Sequence, residues 1–224
     1  MKLRFNFFRL FLTYSMVCVC NLMAINTVQA AAPGLLVFGD SLSAAYGIPR
    51  EQGWVALLQL QLQKQGLPHQ VVNASISGET TSGGASRIQA ALAQYQPKIV
   101  LIQLGANDGL RGLPLNEMQQ NLSTMIQASQ RSGTQVVLIG MKIPPNYGPR
   151  YTRDFAAIYT DLAQKFHLPL VPFLLQDVAG NPALIQADGL HPVASAQEHI
   201  LQTVWQVLQP IVQKKADSSM RKVQ

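Results

Sequence analysis

Leu35-Leu36-Val37-Phe38-Gly39-Asp40-Ser41-Leu42-Ser43 is a wholly apolar run that breaks into a turn of small polar residues. An apolar run without alternation suits a strand covered on both faces, as the strands of parallel sheets are. The pattern recurs at Gln70-Val71-Val72-Asn73, Ile99-Val100-Leu101-Ile102, Val136-Val137-Leu138-Ile139 and Leu168-Pro169-Leu170-Val171. Helical spacing fills the intervals. Residues 53–65 place Trp54, Leu57, Leu58 and Leu62 on one face, residues 82–94 are rich in Ala, and 115–131, 152–166 and 194–212 keep the same period. Strand–helix alternation five times over predicts the α/β class: a five-stranded parallel sheet between two helical layers, in one domain over residues 31–213.

Composition agrees with a packed domain. Charged residues are 12% of the 224 and hydrophobic ones 48%, which excludes a disordered chain. The net charge of +6 suggests nucleic acid until the charges are located. Lys2, Arg4 and Arg9 lie at one end, and Lys214, Lys215, Arg221 and Lys222 at the other. The body between them balances ten basic against ten acidic residues, so no phosphate-binding groove and no nucleic-acid partner are expected.

Residues 1–30 read as a secretory signal peptide. Lys2, Arg4 and Arg9 precede an apolar stretch, and Val28-Gln29-Ala30 offers small residues for a cut after Ala30. A transmembrane anchor is the competing reading, but the stretch is short and Asn21 and Asn26 interrupt it. The two cysteines, Cys18 and Cys20, lie inside it, so a mature chain from Ala31 would hold no disulfide, thiol nucleophile or thiolate metal site. The expected location is the periplasm or beyond, with no stable membrane anchor. Residues 214–224 form a basic polar tail, expected to fray.

Ligands bind outside the carboxyl ends of such strands. The segments reaching that edge are Gly39-Asp40-Ser41-Leu42-Ser43, Ala74-Ser75-Ile76-Ser77-Gly78-Glu79-Thr80, Gly105-Ala106-Asn107-Asp108-Gly109, Lys142-Ile143-Pro144-Pro145-Asn146-Tyr147-Gly148 and Asp188-Gly189-Leu190-His191-Pro192. Each alone has a bland reading: Ser41 as a helix cap, Asn107 and Gly78 as turn residues, Asp188 and His191 as a capping pair. Together they supply acyl-transfer chemistry. A hydroxyl nucleophile needs a base, the imidazole needs a carboxylate to orient it, and the oxyanion needs fixed donors. Ser41, His191 and Asp188 fill the first three roles; the N–H groups of Ser41 and Gly78 and the Asn107 amide fill the last. His69 and His167 precede strands, at the wrong edge, and His199 falls within the last helix. Leu42, Ile76, Leu110, Leu113, Ile143, Pro144 and Leu190 are candidates for an apolar rim, with Asp108 and Arg111 as further substrate contacts.

Gly39-Asp40-Ser41-Leu42, Gly78, Gly105-x-Asn107-Asp108 and Asp188-x-x-His191 resemble the four blocks of the SGNH hydrolases, also called the GDSL esterase/lipase family. The resemblance runs from Leu35 to about Pro210, and is closest to the bacterial periplasmic thioesterases, lysophospholipases and arylesterases of that family. It implies a flavodoxin-like three-layer α/β/α sandwich, hydrolysis of acyl and aryl esters and thioesters, no metal and no cofactor. It also implies a mobile loop over the acyl groove at residues 109–114, whose glycines would hinge and whose leucines would cover a chain; the plain alternative is a turn into the next helix. Ala106 stands where relatives often carry Gly, which is tolerable if its φ stays negative. Small-molecule substrates and a monomer are expected.

Other chemistries fit worse. Ser43 occupies the second glycine of a Gly-x-Ser-x-Gly elbow, and no phosphate-loop lysine motif or His-Glu-x-x-His occurs. A carbohydrate O-deacetylase on the same fold and a non-catalytic envelope lipid binder are the alternatives. The first would want a polar, aromatic groove, and the second has no need of a base beside a hydroxyl.

Overall fold

The computed structural model describes residues 34–220. The expected signal peptide and the last four residues of the tail lie outside them. Five strands, β1 (Leu35–Gly39), β2 (Val71–Asn73), β3 (Ile99–Gln103), β4 (Gln135–Ile139) and β5 (Leu170–Val171), form one sheet in the order β2-β1-β3-β4-β5. Every pairing is parallel. β1 and β3 are buried at every residue, as their continuous apolar character requires.

The helices are α1 (Trp54–Lys64), α2 (Thr81–Tyr95), the short α3 (Ala106–Leu110), α4 (Leu115–Arg131), α5 (Pro149–Phe166) and α6 (Gln197–Met220). The chain steps from β1 outward to β2, then reverses across β1 to β3 and continues to β5. Right-handed crossovers therefore put α1 on one face and α2, α4 and α5 on the other. α6 packs on α1, and α4 packs on both α2 and α5. The reversal lies between β1 and β3, where open α/β sheets form their ligand crevice. Ser41 follows one of those strands and Asn107 the other.

Three elements depart from the sequence reading by two residues or more. β5 begins at Leu170 because Pro169 has no N–H for the ladder, although its carbonyl still accepts from the Leu138 N–H at 3.0 Å. α5 begins three residues early, since Pro149 suits a first helical position. The final helix does not stop at Gln213: a 3-10 turn over Ala194–Ala196 leads into α6, which runs on to Met220. Lys214, Lys215 and Ala216 are good helix formers and carry the helix past the last apolar position, although Asp217, Ser218 and Ser219 are weaker ones.

Candidate active site

At the end of β1 the chain turns: the N–H groups of Ser43 and Ala44 both donate to the Asp40 carbonyl, at 3.2 and 2.9 Å. The Asp40 side chain is buried beneath this turn. Its Oδ1 accepts from the Leu42 N–H and from Gln103 Nε2, each at 3.0 Å. Gln103 Oε1 in turn accepts from the Ser43 hydroxyl at 2.6 Å. The last residue of β3 thus braces the turn after β1. Gly39 makes room for this approach, because a Cβ there would stand 2.7 Å from Gln103 Oε1 and 2.9 Å from Ser43 Oγ. Burial pushes the Asp40 carboxyl up to about 6, opposed by the Leu42 N–H and the Gln103 amide, which favour the anion.

The second half of the site is a loop closed on itself. Ile185 and Pro192 form an antiparallel bridge, and the Gln186 N–H donates to the His191 carbonyl at 2.7 Å. Inside it Asp188 Oδ1 accepts from the N–H groups of Leu190 and His191 at 2.9 and 3.0 Å. Asp188 Oδ2 lies 2.6 Å from His191 Nδ1. These bonds, led by the His191 N–H, hold the Asp188 carboxyl down at about 2, so it is an anion throughout the neutral range. The carboxylate selects the tautomer with Nδ1 protonated. Nε2 is then free to accept from the Ser41 hydroxyl, 2.9 Å away.

Ser41, Gly78 and Asn107 line one groove with His191, of about 630 Å³. Among the described residues neither the Ser41 N–H nor the Gly78 N–H donates to a protein acceptor. Gly78 takes φ +78°, a region that favours glycine. One N–H of the Asn107 amide donates to the Glu79 carbonyl at 3.0 Å, which fixes the plane of the amide and leaves its second N–H. Ala106 keeps a negative φ; the positive value, +119°, falls on Gly105. Among the described residues no three His, Cys, Asp or Glu side chains converge on a metal-sized site.

Residues 37–199 match the GDSL-like lipase/acylhydrolase family. The chain belongs to this family. It is thereby an ester hydrolase. It is 48% identical to esterase TesA of Pseudomonas aeruginosa over 193 residues, 86% of this chain and 96% of that one. It is 43% identical to thioesterase 1/protease 1/lysophospholipase L1 of Escherichia coli, over 82% of this chain and 86% of the relative. The crystal structure of the psychrotrophic esterase EstA from Pseudoalteromonas sp., inhibited by monoethylphosphonate, superposes with a TM-score of 0.77 at 42% identity, covering 80% of this chain and 98% of that one.

The groove also collects Leu42, Leu110, Ile143, Pro144 and Leu190 from the expected rim. Four expected substrate contacts lie elsewhere. Asp108 is buried, and its carboxylate accepts from the Thr81 N–H at 2.8 Å and the Thr81 hydroxyl at 2.6 Å, anchoring the start of α2. It follows Asn107 on α3, and one helical step turns a side chain by about 100°, away from the groove. Arg111 Nη2 donates to the Gly78 carbonyl at 3.0 Å and so braces that turn. Leu113 is outside the lining, with its carbonyl accepting from the Tyr151 hydroxyl at 3.1 Å. Ile76 is half-exposed beside the groove. The expected hinge at Gly109 is also corrected. A Cβ there would stand 2.6 Å from both Ile143 Cγ2 and Phe155 Cε2, so this glycine serves close packing.

Several site residues escaped the sequence reading. Tyr46 lays its ring 4.4 Å from the His191 ring, tilted by 37°. Phe173, Leu175 and Met141 line the apolar part of the groove. Phe173 and Leu175 directly follow β5, so reading the strand ends at that strand as at the others would have found them. Asp40 and Gln103 carried no local signal of their pairing, being 63 residues apart.

Proposed function

We propose that this chain hydrolyses acyl esters and thioesters through an acyl-enzyme on Ser41. The observation that supports this is the unbroken line from Asp188 Oδ2 to His191 Nδ1, 2.6 Å, and from His191 Nε2 to Ser41 Oγ, 2.9 Å, at the wall of a mainly apolar groove. Ser41 Oγ attacks the carbonyl carbon while Nε2 of His191 takes its proton. Asp188 stabilises the resulting imidazolium. The oxyanion receives the N–H groups of Ser41 and Gly78 and the second N–H of Asn107. Collapse expels the alcohol or thiol, which leaves with the proton from Nε2. A water then gives its proton to the same nitrogen and attacks the acyl-enzyme, releasing the carboxylic acid and Ser41.

Leu110, Ile143, Pro144 and Phe173 suit an acyl chain or aryl group, which fits the thioesterase and lysophospholipase activities in the relatives' names. The apolar lining does not favour a carbohydrate ester. We further infer that the enzyme works in the periplasm or outside the cell after loss of residues 1–30. Ser41→Ala is the direct test. It is expected to abolish labelling by a fluorophosphonate and to lower ester turnover by several orders of magnitude. Labelling that survives the substitution would refute the assignment.

A further inference from the structure

Ser41 and His191 are 150 residues apart, and their 2.9 Å contact exists only because two loops dock against each other. Asp188 orients the imidazole within its own loop but does nothing to set how far that loop stands from Ser41. The side chain that spans the gap is Gln186. Its Nε2 donates to the Tyr46 carbonyl at 2.9 Å and to the Pro192 carbonyl at 2.9 Å. A primary amide has two hydrogens, one for each acceptor. The first carbonyl belongs to the nucleophile's turn, where the Tyr46 N–H donates to the Ser41 carbonyl at 3.2 Å. The second belongs to the residue after His191.

Two further contacts make this clasp tight. The Gln186 amide lies flush on Gly47, where a Cβ would stand 2.2 Å from Oε1. The Tyr46 ring, whose backbone the amide holds, rests against the imidazole at 4.4 Å. One end of Gln186 is fixed by its N–H to the His191 carbonyl, and the other reaches the Ser41 turn. We propose that Gln186 is a positioning residue that sets the distance between His191 and Ser41, and that it acts on catalytic rate rather than on substrate affinity. This rests on the reading of Ser41 and His191 as nucleophile and base.

The expected size follows from geometry. Displacing a catalytic group by about 1 Å costs on the order of 100-fold in rate. Gln186→Glu keeps the shape but cannot donate to either carbonyl, and Gln186→Met keeps the length without any polar group. Both variants are assayed on an acetyl ester, with active sites counted by complete fluorophosphonate titration, so that misfolded protein does not enter the rate. The kcat per titrated site is expected to fall by about 10- to 100-fold in both, with KM little changed, as for an interaction made in the transition state. The rate constant for fluorophosphonate inactivation should fall in parallel, since it uses the same proton transfer. An unchanged kcat per titrated site, or a change confined to KM, overturns the proposal. Either result beside an inert Ser41→Ala leaves the nucleophile assignment standing, whereas labelling that persists in Ser41→Ala removes that assignment itself.

Discussion

Asp40 sits fully buried one residue before Ser41, with one carboxylate oxygen doubly hydrogen-bonded and the other, Oδ2, without a protein partner. Burial raises its pKa from 3.8 to about 6, while nearby His191 lowers it and Glu79 raises it further. The folded state therefore holds this proton more tightly than the unfolded chain. Its contribution opposes folding: the penalty is absent below pH 3.8, grows as pH rises, and is complete above about pH 6. At about 1.4 kcal/mol per pH unit it reaches on the order of 3 kcal/mol. Asp188 has the opposite sign, because its depressed carboxyl adds stability that is lost as pH falls from 3.8 through about 2, below the Asp40 window. Asp40→Asn keeps an acceptor for Leu42 and removes the titration. Urea unfolding between pH 4 and 7 should show a shallower decline in the variant than in the parent chain. Equal slopes would mean that Asp40 keeps an ordinary carboxyl. The fold tolerates such a carboxylate because Gln103 and the Leu42 N–H orient it, and through it the turn that aims Ser41.

At the scale of elements, α3 joins the Asn107 side chain to the apolar groove. Its first turn carries Asn107 and its last residue is Leu110. Beyond it the segment is held from two sides: the Tyr147 hydroxyl donates to the Leu110 carbonyl at 2.8 Å, and the Tyr151 hydroxyl to the Leu113 carbonyl at 3.1 Å. Gly109 packs α3 flat against Ile143 and Phe155. Gly109→Ala should therefore act as overpacking, lowering stability by about 1–3 kcal/mol. Thermal unfolding measures this. A stable variant would show that the element shifts freely, as a hinge reading requires. Leu110 itself faces the groove, so α3 places both the Asn107 amide and one wall of that groove.

The groove belongs to the whole molecule. Leu110 comes after β3, Ile143 and Pro144 after β4, Phe173 and Leu175 after β5, and Leu190 from the histidine loop. No one element could enclose a chain. Burying a methylene in such a place contributes about 0.8 kcal/mol, or roughly fourfold in kcat/KM. A series of p-nitrophenyl esters of increasing acyl length should gain at about that rate per carbon and then level off where the groove ends. Leu110→Ala should reduce the gain for long chains and spare the acetyl ester. Equal loss at every length would remove Leu110 from the acyl site.

The α/β class, the five strands and the parallel sheet were legible in the sequence alone, as was the placing of Ser41, Asp188 and His191 at one edge of the sheet, where the structure brings their side chains into contact. Strand periodicity is a local property, and a turn at a strand end announces itself in Gly, Asp and Ser. The Asp188–His191 pair was legible for the same reason, lying three residues apart in one loop. What only the folded chain decided depends on contacts between distant segments. Asp108 and Asn107 are neighbours in sequence, yet the turn of α3 sends one into the core and the other to the groove. Gly109 reads as a hinge until Ile143 and Phe155 are packed on it. Gln103 beneath Asp40, Tyr46 on His191 and Gln186 across two loops have no signature in the chain, because a hydrogen bond or ring contact over 60 to 150 residues is set by how the layers close. Side-chain direction and loop docking are products of that closure, and local sequence does not encode them one residue at a time.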